Sequence, residues 1–327
     1  MDNLYTIHDY KTIEEKKIHT VSYINNVIIE GHASDMILVT EALQERQLIK
    51  IAEAISSNEK IKMILLAGPS SSGKTSTSRR LCIQLMACGK HPVALSTDNW
   101  FVEHKNTPRD KAGNLDFESI YAMDLKLFNS DLQNLIDGNE VALPTFNFTT
   151  GLREYDGETL QLSPDMLLVV EGIHALNPIL TSQIPAERKY KIFAAPMSPI
   201  SFDGIHWIPT TANRLLRRIS RDYQTRGKSA QQTIAGWGSV RRGEKKWIMP
   251  FMKEADIIFD TSMLYELAAL RPNAEKVLEQ VPEDAKEYLI AKKLLRFLRC
   301  FKPIKSCQIP RTSLMREFIG GSIFNVT

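Results

Sequence analysis

The chain has 327 residues, 43% of them hydrophobic and 24% charged, with 16 Gly and 15 Pro. That composition excludes a collagenous, mucin-like or wholly disordered polymer, and the length suits one α/β domain of about 200 residues with appendages. Lys and Arg number 41 against 38 Asp and Glu, a net +3 that by itself implies neither a nucleic-acid nor a membrane partner.

The first residues, MDNLYTIHDY, lack the basic start and apolar run of a secretory signal, and no apolar stretch approaches the roughly 20 residues of a spanning helix, so a soluble cytoplasmic protein is expected. Residues 40–57 show leucine and isoleucine at three- and four-residue spacing, the pattern of a helix. The run IKMILLAG then reads as a strand buried on both faces, as do PVALST, MLLVVEG, YKIFAA and ADIIFD further on. Between the first two, KTSTSRRLCIQLMACG predicts a helix with Leu81, Leu85 and Cys88 on one face and Gly89 as its stop, which makes a parallel strand–helix–strand crossover. Two more helices are expected over 265–281 and 284–301, before a closing REFIGGSIFNVT. Cys82, Cys88, Cys300 and Cys307 have neither ligand spacing nor pairing signals and read as free thiols.

The strongest chemical signal is GPSSSGKT, Gly68 to Thr75, which matches G-x-x-x-x-G-K-[ST] between a buried strand and a helix. Glycines there let the backbone close around phosphates, amide groups and the helix N-terminus point inward, and Lys74 adds positive charge. Gly68, Ser70, Ser71, Ser72, Gly73, Lys74, Thr75 and Ser76 are therefore the expected ATP-binding residues, with the Thr75 hydroxyl directed to Mg²⁺. Asp98 follows the second strand and Glu171 ends the third, placing two carboxylates at carboxyl strand ends, where open α/β sheets bind ligands. Both are candidate metal-shell groups. Between residues 214 and 253 stand eleven Lys or Arg and only two acids. Arg214, Arg218 and Arg221 share a helical face and Arg226 follows before Gly227, as a phosphate-directed lid requires; nucleic acid is possible but not favoured, because aromatic interleaving is sparse.

The order GPSSSGKTS, STDNWF, NLDFES, LPTFNFTTGLRE, VVEGIHALN, RLLRRISRDYQTRG and SVRRGEKKWIMPF resembles the uridine kinase and phosphoribulokinase group of P-loop kinases. More narrowly, it is similar to uridine-kinase-like bacterial proteins in which the kinase domain follows modules related to threonyl-tRNA synthetase. The resemblance implies an α/β fold of P-loop NTPase type, a parallel sheet with helices on both faces. It also implies an N-terminal segment over 1–55 like the tail of such a module, a kinase domain over 56–262 with a basic lid at about 212–246, and a helical extension over 263–327. ATP and Mg²⁺ are the implied cofactors, a small-molecule hydroxyl the acceptor, and a homo-oligomer possible. Asp98 matches the general base, Thr75 and Glu171 the Mg²⁺ shell, and Asp116 the carboxylate that grips ribose hydroxyls, with Arg218 assisting. Arg221 and Arg226 match arginines that meet the transferring phosphates.

The chain also departs from the pattern. Where pyrimidine nucleoside kinases carry a Tyr-Asp pair and a later His near the base, it has Phe146, Asn147 and Gly151, although Arg153 remains. Trp207 and Ala212 stand where the longer relatives have Arg and Asp, and His206 and His174 are further polar residues, His174 being the one expected beside substrate. The first expectation is ATP-dependent phosphorylation of the 5′-OH of a pyrimidine nucleoside. The alternatives are a kinase for another sugar or polyol, and an ATP-binding regulatory or RNA-associated protein with little turnover.

Overall fold

The computed structural model describes residues 19–110, 113–147, 149–197 and 200–324. Helix α1 (Val21–Ile29) begins at Thr20, whose hydroxyl accepts from the Tyr23 amide as an N-cap. Helix α2 (Ala33–Ser56) starts seven residues before the sequence expectation, because the apolar stripe continues back through Ile37, Met36 and Ala33, all buried. Then follow β1 (Met63–Ala67), α3 (Lys74–Ala87), β2 (His91–Ser96), α4 (Leu125–Ile136), β3 (Met166–Glu171) and β4 (Lys189–Ala195). The remainder is α5 (Thr210–Thr225), α6 (Ala230–Gly243), β5 (Ile257–Asp260), α7 (Glu266–Leu278), α8 (Tyr288–Arg299) and the short α9 (Arg316–Ile319).

The five strands form one sheet in the order β5-β4-β1-β3-β2, with β1 parallel to both β3 and β4 and β3 parallel to β2. All five apolar runs expected as strands are strands. The fully buried Met63–Ala67 sits at the centre, as a continuous apolar run should, and the more exposed β2 lies at the edge. Helices cover both faces. Leu48, Ile51 and Ile55 of α2 with Leu81 and Leu85 of α3 pack on Ile64, Leu66 and Val169, while Phe128, Leu132 and Leu135 of α4 pack among Leu65, Leu168 and Val170 on the other face. The architecture is the parallel α/β sheet that the sequence indicates.

Cys88 does not join Leu81 and Leu85 on the buried face. Helix α3 ends at Ala87, Cys88 caps it and is exposed, and Gly89 takes the left-handed turn at φ 75°. Cys82 is the buried thiol of that helix, and burial pushes it up to about 11, far from any thiolate at neutral pH. Two small antiparallel pairs carry no alternating apolar signal and escape the sequence reading: Thr145–Asn147 with Leu152–Glu154, and Val141–Ala142 with Thr159–Leu160.

The chain divides into two compact units. One holds residues 46–195 and 236–259, including the whole sheet up to Phe259; the other holds residues up to 45, 196–235 and 260 onward. In the second unit, Arg217 of α5 is fully buried and forms a two-pronged ion pair with Glu266 of α7, at 2.9 Å and 2.6 Å, while also donating to the Thr261 carbonyl at 2.8 Å. It stacks over Phe318, 5.0 Å from the ring centre. One of the arginines of the basic stretch is thus a core residue. Removing one partner of a buried pair strands the other charge. Glu266→Ala is expected to lower stability by about 3–5 kcal/mol in urea unfolding, with Glu266→Gln losing less.

Candidate active site

Strand β1 delivers its last residue, Ala67, to Gly68, where a Cβ would stand only 2.0 Å from the Ala194 carbonyl oxygen of β4 and 2.7 Å from Ser72 Oγ. Only glycine lets the chain leave the sheet at this point. The loop turns through Ser71 in the left-handed region at φ 59° and reaches Gly73, the left-handed N-cap of α3 at φ 85°. A non-glycine residue held in that region is a local strain that the surrounding packing must fix. The hydroxyls of Ser71 and Ser72 are buried and, among the described residues, make no hydrogen bond. Together with the amino end of α3, whose helix dipole favours negative charge, these hydroxyls suit a polyphosphate. Lys74 Nζ donates to the Pro69 carbonyl at 3.3 Å and stays at this loop, Ser70 lies in the loop and Ser76 in the first turn of α3.

Thr75, at the second position of α3, donates its hydroxyl to Glu171 at 3.0 Å, across 96 residues of sequence. Glu171 is buried at the carboxyl end of β3, directly opposite Leu66 of β1 and Ser96 of β2 in register. A hydroxyl and a carboxylate sharing one point beside a phosphate loop suit Mg²⁺, which takes one or two protein oxygens and completes its octahedron with water and phosphate. Asp98 lies at the end of β2 in a short 3-10 turn, its amide donating to Ser96 Oγ at 3.4 Å. Asp116 accepts from the Glu118 amide at 3.2 Å, and its own amide donates to the Pro108 carbonyl.

Other expected site residues are engaged in the fold. Arg153 donates to the Phe101 carbonyl at 3.0 Å and pairs with Asp124, the N-cap of α4, at 3.1 Å. Asn147 builds a turn, its Oδ1 accepting from the Thr149 and Thr150 amides while its Nδ2 donates to Glu154. His174 is 1% exposed. Burial lowers it to about 4, against backbone groups of Trp247, Ser119 and Glu118 that favour its protonated form, and neither ring nitrogen has a partner of normal hydrogen-bond geometry. It packs behind the loop that carries Asp116, as a neutral ring.

In the other unit, Arg218, Arg221 and Arg226 converge on one buried carboxylate, Asp222, at 3.3 Å, 2.9 Å and 3.8 Å. Burial works to raise the Asp222 carboxyl, but the three arginines outweigh it and hold it below the ordinary range. Asp222 is the residue that sequence reasoning missed; its signal was its place as the only acid within RLLRRISRDYQTRGK. Arg214 is buried in α5. A cavity of about 910 Å³ lies elsewhere, lined by Lys62, Asp137, Gln161, Met166 and Arg188 at the amino ends of the strands. The phosphate loop is at the opposite, carboxyl edge, where chemistry in open α/β sheets is placed.

Residues 63–200 and 204–267 match the phosphoribulokinase / uridine kinase family. The chain belongs to that family. It is 28% identical over 212 residues to a uridine kinase of Mycoplasma genitalium, covering 64% of this chain and 90% of the relative. It is 30% identical over 200 residues to a uridine kinase of Staphylococcus aureus, covering 60% of this chain and 86% of the relative. A solved structure described as a possible uridine kinase from Bacillus stearothermophilus overlays with a TM-score of 0.40 at 18% identity, over 61% of this chain and 89% of that one. Among the described residues no helix is long and apolar enough to cross a membrane.

The buried His174 makes a pH prediction. Its folded value is depressed below the unfolded 6.5, so the unfolded chain binds the proton more readily, and its contribution is complete above pH 6.5 and lost as pH falls toward 4. From pH 7 to pH 5 this amounts to about 2 kcal/mol. Urea unfolding at the two pH values should show the drop, and His174→Asn should show less of it.

Proposed function

We propose that this protein transfers the γ-phosphoryl group of ATP to a primary hydroxyl of a small polyhydroxylated acceptor, with the 5′-OH of a pyrimidine nucleoside as the leading candidate. The observation that carries the reading is the Thr75–Glu171 contact at 3.0 Å beside a donor-lined loop, within a chain of this family. Thr75 and Glu171 would hold Mg²⁺, which would supply positive charge against that of the phosphates. Lys74 and the loop amides hold the polyphosphate, and Asp98 accepts the proton of the attacking hydroxyl. Asp116 fixes the acceptor's neighbouring hydroxyls, and Arg221 and Arg226 supply guanidinium charge for the transferring group. The uridine kinases among the relatives favour a nucleoside over another sugar.

The basic stretch supports this reading better than a nucleic-acid surface. Arg217 is spent in the core and Arg218, Arg221 and Arg226 gather on Asp222, a focused site rather than a solvated stripe. RNA binding would instead call for dispersed phosphate contacts and steep salt dependence.

Asp98→Asn is nearly isosteric and removes the base. It is expected to reduce turnover at least about 10²-fold while leaving ATP binding within a factor of about two. Coupled ATP-consumption assays over nucleosides, sugars and polyols, with mass spectrometry of the product, check both statements; an Asp98→Asn variant of wild-type activity would remove the assignment.

A further inference from the structure

Two features of the second compact unit have no part in phosphoryl transfer: the basic helix α8 and the turn that contains Trp207. Between residues 286 and 305 stand seven Lys or Arg and a single acid, Glu287. Helix α8 turns Ala291, Leu294 and Leu298 inward, against α7. Its outward face carries Leu289 together with Lys292, Lys293 and Arg296, which follow it by three, four and seven residues, the spacing that groups side chains on one side of a helix. Arg299 is held by Glu275 at 2.6 Å and Glu279 at 2.5 Å, whereas Lys293, Arg296 and Lys302 meet no carboxylate among the described residues. This face is therefore a field of uncompensated positive charge with a leucine in its midst.

The turn from Phe202 to Trp207 adjoins it. The Phe202 ring meets Phe297 of α8 edge-on at 5.7 Å between centres, and Phe297 meets Phe301 in the same way at 5.6 Å. Hydrogen bonds brace the turn: Asp203 accepts from the Ile205 and His206 amides at 3.0 Å and 2.8 Å and pairs with the His206 ring at 2.7 Å. Gly204, left-handed at φ 87°, donates its amide to Ser201 Oγ at 2.8 Å. So held, the turn leaves Ile205 76% exposed at its tip and Trp207 half-exposed. One exposed apolar side chain means little. Ile205 and Leu289, however, are the two most exposed large hydrophobic residues among those described, and the Phe202–Phe297 contact joins the elements that carry them. A braced turn that shows isoleucine and tryptophan to water beside a basic helix marks an interaction surface.

We propose that this face docks on a bilayer surface rich in anionic lipid, the cations of α8 meeting headgroup charge while Ile205, Trp207 and Leu289 enter the interfacial layer. A second copy of the chain fits poorly, because a twofold contact would set Lys293 and Arg296 against like charge. Single-stranded nucleic acid would engage the cations but calls for flat rings on which bases stack, and Leu289, Ile290 and Ile205 are aliphatic. A bilayer takes up apolar side chains that stand singly on separate elements, with no matching shape required. Its surface potential attracts Lys and Arg, and indole rings settle at headgroup level. At 12 residues α8 is too short to span, so it lies along the surface.

The test sediments the full chain with vesicles of phosphatidylcholine alone and of phosphatidylcholine carrying about 30% phosphatidylserine, and records tryptophan emission on mixing. The expected result is binding to the anionic vesicles only, weakening as salt is raised, with a blue shift in emission that Trp207→Phe diminishes. The double variant Lys293→Glu/Arg296→Glu is expected to weaken partition at least about tenfold, and Ile205→Ser/Leu289→Ser about tenfold. All four side chains are exposed, so thermal unfolding of both variants should match wild type. Sedimentation with neither vesicle, or equally with both, overturns the proposal. So does anionic-vesicle binding undiminished in Ile205→Ser/Leu289→Ser. A single-stranded RNA bound through Lys293 and Arg296 by a protein that ignores vesicles would overturn it in favour of a nucleic-acid surface.

Discussion

The close approach of Gly68 to the Ala194 carbonyl is the constraint on which the site depends. A strand buried on both faces has its backbone hemmed in by β3 and β4, and it can leave the sheet beside β4 only if its first residue outside has no side chain. From that exit the left-handed Ser71 and Gly73 turn the chain directly into α3. The helix start is thereby fixed relative to the end of β3, which is why Thr75 and Glu171 meet although 96 residues separate them. A single missing Cβ thus sets the distance between the loop and Glu171.

Charge is arranged by the same economy of burial. The arginines of α5 look alike in sequence but divide by helical phase: Arg217 turns inward to Glu266 and Thr261, whereas Arg218 and Arg221 turn to the side that carries Asp222. The first set is structural and its loss would be felt in stability. The second leaves more positive than negative charge around one carboxylate, an arrangement that favours an additional anion.

Much of this was legible in the sequence because its signals are local. Five continuous apolar runs gave five strands, and the glycine spacing of residues 68–75 announced the loop, since backbone conformation there is dictated by residue type. The expectations that failed or were missed depend on what lies opposite in space. Cys88 has helical spacing but sits past the last turn. The hairpin at 145–154 is held by Asn147 and by Arg153 contacts that no periodicity encodes. His174 has the sequence context of a site residue, directly after Glu171 and Gly172, yet the backbone of Ser119 and Trp247 encloses it. Gly151 leaves room for the ring of His104, 47 positions away, a fit that shows only when the missing Cβ is placed.

The resident carboxylate among the arginines bears on ionic selectivity. Three guanidiniums that already hold Asp222 do not present bare charge to the surrounding electrolyte, so chloride or a lone carboxylate must compete with a partner fixed in place at 2.9 Å. An incoming anion gains over that incumbent only through higher charge density and several oxygens arranged for forked donors, as on a phosphate chain. Asp222 is thus a built-in competitor for any anion that approaches these three arginines.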